Sequence, residues 1–84
     1  MMTIAEIQHV FFLCGFPYYK QLSIQGQQAD CTFYSIHSDY RKKVVLQLTS
    51  KAELQHQIAL EVIKFWAHDL KALEEQFIER SLVD

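Results

Sequence analysis

The chain has 84 residues, half of them hydrophobic, 21% charged and 13% aromatic, with two Gly and one Pro. That length and composition make one folding domain and exclude disordered, linker-like and collagen-like classes. Eight basic against ten acidic residues leave a formal charge of −2, without the basic excess on which non-specific nucleic-acid binders rely.

The first predicted element is a helix over residues 4–14. Thr3 and Glu6 have capping-box spacing, and Met2 and Ile7 flank them as a hydrophobic staple. Ile4, Ile7, Val10, Phe11 and Cys14 recur at intervals of three or four. Gly15 suits a left-handed closing residue and Pro17 prevents resumption.

Three strands are expected next. In Tyr19–Gln25, Leu22 and Ile24 share a face, and Gly26-Gln27-Gln28 supply the turn. Ala29–His37 carries Cys31 and Phe33 on one side and Tyr34 and Ile36 on the other, the pattern of a central strand covered on both faces. Ser38-Asp39 has turn chemistry, after which Val44, Leu46 and Leu48 point one way. Loops this short cannot make parallel crossovers, so the strands form an antiparallel meander.

A second capping box, Ser50 with Glu53, opens a helix over about 51–80 that no Gly or Pro interrupts. Its polar ridge runs Gln57, Glu61, Lys64, His68, Lys71, Glu75, Glu79. Its apolar side is wide at first (Ile58, Leu60, Val62, Ile63, Phe65, Trp66) and narrower later (Leu70, Leu73, Phe77). The fold class is thus α+β, in the order α-β-β-β-α, as a single domain over 1–84. Thirty helical residues extend ~45 Å, whereas a compact domain of this size is only about 30 Å across. The helix therefore overhangs its sheet or breaks near His68-Asp69. Burying Leu73 or Phe77 is worth about 1.5–3 kcal/mol each, which favours self-association through that overhang.

No constellation for chemistry emerges. His9, His37, His56 and His68 lack ligand spacing, and Cys14 and Cys31 form no CxxC pair, so neither a metal nor a cofactor is expected. Both cysteines read as small core residues. Cys31 would meet His37 or Asp39 only through tertiary folding, and His68 and Asp69 diverge on a helix. Glu74-Glu75 read as a solvated face, and Gly15 and Gly26 are too far apart for a phosphate loop. Enzymatic activity is not expected. Neither a signal peptide nor a membrane span is evident, which sets the cytoplasm as the expected location.

The element order over about residues 3–66 resembles that of the double-stranded-RNA-binding domain family. In that family the start of the second helix, here Thr49-Ser50-Lys51-Ala52, carries a basic cluster, and the first strand turn carries a Gly-Pro-x-His pattern. Here Lys51 stands alone, and the turn reads Gln25-Gly26-Gln27-Gln28. These departures remove the residues with which the family straddles phosphates, and the alternative function is weak nucleic-acid binding through Lys20, Arg41, Lys42, Lys43 and Lys51.

The sequence thus leads to a small protein-binding module, such as an adaptor, an escort or an inhibitor, self-associating as a homodimer. Its expected contact residues are Phe65, Trp66, Leu70, Leu73 and Phe77. An acidic rim (Glu74, Glu75, Glu79, Asp84) would steer it toward a basic partner.

Overall fold

The computed structural model describes residues 2–83, with side chains through residue 75. It contains α1 (Ile4–Leu13), β1 (Tyr19–Gln25), β2 (Gln28–Tyr34), β3 (Arg41–Gln47) and α2 (Lys51–Val83). The α-β-β-β-α order and the antiparallel meander β1-β2-β3 match the reading from sequence.

The first helix is set by its ends. Thr3 Oγ1 accepts from the Glu6 amide at 3.2 Å, and Glu6 Oε1 accepts from the Thr3 amide at 3.2 Å, so the box closes in both directions. The bond from the Thr3 amide holds the Glu6 carboxyl below its ordinary range, with help from Lys51, whose ammonium lies 3.5 Å away. At the other end Gly15 takes φ +67°, the Gly15 amide donates to Phe12 O and the Phe16 amide to Phe11 O. This Schellman closure drops the Phe16 ring into the core, where it is 1% exposed.

Both helices lie on one face of the sheet. Ile7, Val10 and Phe11 of α1 and Leu54, Ile58 and Phe65 of α2 join Ala29, Cys31 and Phe33 of β2 and Val44 and Leu46 of β3 in a single core. Leu22 and Ile24 of β1 pack at its margin. Register explains the alternation: Cys31 pairs with Val44 and Ala29 with Leu46, so the inward side chains of adjacent strands meet.

Two expectations about the sheet need correction. The second strand ends at Tyr34, not His37, because Ser35 turns into the loop and its hydroxyl accepts from the His37 and Ser38 amides at 2.9 and 3.0 Å. The sheet is also covered on one face only. Asp30, Thr32 and Tyr34 on the other face are half-buried, and Ile36 is largely exposed beyond the strand.

The long helix is continuous, with no break at His68-Asp69. At about 1.5 Å per residue it extends about 50 Å, and the molecule measures 55 × 20 × 16 Å. Its start is capped by Ser50 Oγ, which accepts from the Glu53 amide at 3.2 Å. The Glu53 carboxylate pairs with the Thr49 hydroxyl, so this second box closes in one direction.

Candidate interaction surface

The helix α2 meets the sheet along its side next to β3. Gln57 donates through Nε2 to Gln47 O and accepts through Oε1 from the Gln47 amide, both at 2.9 Å. One turn on, Glu61 Oε2 takes Lys42 Nζ at 3.0 Å. Further along, Asp69 is 1% exposed and accepts from Ser35 Oγ at 2.8 Å through Oδ2 and from Ser38 Oγ at 2.7 Å through Oδ1. Ser38 Oγ in turn accepts from the Tyr40 amide at 3.2 Å, so one carboxylate organises the whole β2–β3 loop. His68 stacks flat on Tyr40, with ring centroids 4.5 Å apart.

These contacts sort the expected contact residues. Phe65 is fully buried, edge-on to Phe16, Phe33 and Trp66 and stacked on Tyr40. It belongs to the core and leaves the surface set, because a ring that closes the domain interior has no area to offer a partner. Trp66 is half-buried beside Phe16 and Tyr18. Leu70 is 58% exposed. With Leu73, it lines a shallow groove with Trp66, Asp69 and His37. The Phe77 side chain lies outside the described residues.

The wide apolar side expected in the first half of α2 is in fact two faces. Leu54, Ile58, Phe65 and Asp69 turn toward the sheet and are buried. Leu60 and Ile63 point the other way and are 44% and 64% exposed. At about 100° per residue, Leu60, Ile63, Ala67 and Leu70 lie half a turn away from the buried set. Their spacing of three, four and three is the helix-pairing period, and this was the signal in the sequence that identifies the second face.

The five basic positions also separate. Lys42 is held by Glu61 and Lys51 lies beside Glu6. Lys42 points to the helix side of the sheet, since it follows the inward alternation of Val44 and Leu46. Lys20, Arg41 and Lys43 occupy the open face. The Lys20 ammonium and the Arg41 guanidinium each sit 5.9 Å from the Tyr34 ring centroid, and Lys20 and Lys43 flank Thr32 in register.

Nothing among the described residues forms a group of three His, Cys, Asp or Glu placed to hold a metal ion. No described helix is long and apolar enough to cross a membrane. Cys31 is buried behind the sheet, where desolvation, and then the neighbouring Asp30 charge, push its thiol up to about 12. Burial also raises Cys14. Neither thiol has the lowered pKa of a nucleophile.

No family model, curated protein or solved structure matches the chain.

Proposed function

We propose that the protein is a small binding module that works through α2, associating with a second copy of itself and presenting the sheet and the helix end to a larger protein. The observation that carries this reading is the second apolar face of α2, opposite the core. An isolated exposed leucine is ordinary on a protein surface. An aligned row of Leu60, Ile63 and Leu70 on a helix that outruns its own sheet favours a partner. A homodimer is the simplest arrangement, because one surface serves both copies. Adaptor, escort and inhibitor roles are all compatible with such a module, in the cytoplasm.

Sedimentation equilibrium over a range of concentrations tests it. Wild type should run as a concentration-dependent dimer, and Leu70→Asp should run as a folded monomer. A wild type that stays monomeric throughout removes self-association from the reading.

A second reading rests on the open sheet face, where Lys20 and Arg41 flank the Tyr34 ring and Lys43 lies beside Thr32, in the manner of a stacking platform edged with cations. Anisotropy titrations with single- and double-stranded oligonucleotides at two salt concentrations decide it. Affinity that falls steeply with salt and is lost in Lys20→Glu/Lys43→Glu supports weak nucleic-acid binding, and salt-independent or absent binding overturns it.

A further inference from the structure

We infer that two copies of α2 pair antiparallel, with the twofold axis level with Phe65 on the face opposite its side chain; this rests on the self-association proposed above and assigns its register. The exposed row is symmetric about that position. Ile63 lies two residues before Phe65 and Ala67 two after. Leu60 lies five before and Leu70 five after, and His56 lies nine before and Glu74 nine after. His56, Leu60, Ile63, Ala67, Leu70 and Glu74 all fall on the face opposite the core at about 100° per residue, and all are exposed.

Turning one copy end for end about that axis sets Leu60 against the other copy's Leu70 and Ile63 against its Ala67. Large then meets small at the centre, and leucines close on each other outside it. The same rotation puts each His56 opposite a Glu74, so the imidazole N–H has a carboxylate to donate to at both ends of the seam. Charge and side-chain volume are therefore complementary to a second copy of this chain. A parallel pair would set Glu74 against Glu74 and Ala67 against Ala67, adding a repulsion and leaving a gap. On one flank of the antiparallel pair Lys64 approaches its counterpart, and Glu61 Oε1, 3.8 Å from the Lys64 ammonium, offsets that charge within each copy.

The test is a charge exchange read by sedimentation equilibrium, with far-ultraviolet circular dichroism as the check on folding. Both residues are exposed and touch nothing in the core, so the variants should fold. His56→Glu places two carboxylates together at each end and should weaken the dimer roughly tenfold. Glu74→Lys should weaken it as well. The double variant His56→Glu/Glu74→Lys restores opposite charges only if the helices run antiparallel in this register, and should return the dissociation constant to within about threefold of wild type. A wild-type dimer with a double variant no tighter than the single ones overturns the register and leaves self-association standing. A wild type that remains monomeric overturns both.

Discussion

Ser35 and Asp69, thirty-four positions apart, share a buried hydrogen bond of 2.8 Å that ties the β2–β3 loop to the middle of α2. The carboxylate is satisfied on both oxygens, because Ser38 supplies the second donor. Removing the acceptor strands the Ser35 hydroxyl in the interior. Asp69→Ala is expected to lower stability by about 2–3 kcal/mol in urea unfolding. Ser35→Ala in that background should cost much less than it does alone, and this non-additivity in a double-mutant cycle is what marks a direct pair.

The aromatic centre gives a contrasting pair of substitutions. Phe65→Ala opens a cavity among Phe16, Phe33, Tyr40 and Trp66 and should cost about 3–5 kcal/mol. Ile63→Ser, two positions away on the opposite face, should change the stability of the monomer by no more than about 0.5 kcal/mol. Thermal or urea denaturation at a concentration low enough to favour the monomer compares them. Equal losses would show that Ile63 is packed.

Backbone strain sits at Gln21, whose φ is +57°. It occupies the bulge where the β1–β2 register shifts between Lys20 and Ser23. A side chain resists that conformation and glycine does not. Gln21→Gly should raise stability by about 0.5–1 kcal/mol, measured as a higher urea midpoint with an unchanged slope.

The Cys31 thiol makes stability fall in alkali. Its folded pKa of about 12 lies above the ordinary value of 9.0. The folded state therefore keeps a proton that the unfolded chain gives up, and the corresponding stability is present below pH 9 and is lost as pH rises toward 12. Cys31→Ala should flatten that decline in urea titrations between pH 8.5 and 10.5. At pH 8 a thiol reagent should modify Cys14, which is half-exposed, well before Cys31.

The parts of this fold visible in the sequence were those with local causes. Thr3 and Glu6 cap α1 through residues three apart, and Gly15 ends it through a conformation that glycine favours, so both ends could be read from neighbours alone. The alternation of Ala29, Cys31 and Phe33 set the inward face of β2. Asp69 was not legible as a buried group. It falls four residues after Phe65, on the same helical face as Leu54 and Ile58, but a carboxylate becomes tolerable there only because two serines arrive from a loop more than thirty residues earlier. The end of β2 was missed for the same reason, since the Ser35 hydroxyl gathers the His37 and Ser38 amides into that loop. The two-sidedness of α2 was concealed by counting its apolar residues together. Ile58 and Leu60 look alike in composition, yet only the position of the sheet decides which of them is covered.

The Gln57 side chain, bonded in both directions to the Gln47 backbone, has a consequence for how safely this chain can be concentrated. A three-stranded sheet has two margins onto which a stranger's strand can zip. Here the β3 margin is engaged at Gln47 by the molecule's own Gln57 amide, and the β1 margin is bent by the Gln21 bulge. Each margin thus carries a local obstacle to edge-to-edge strand addition, the first step of cross-β growth.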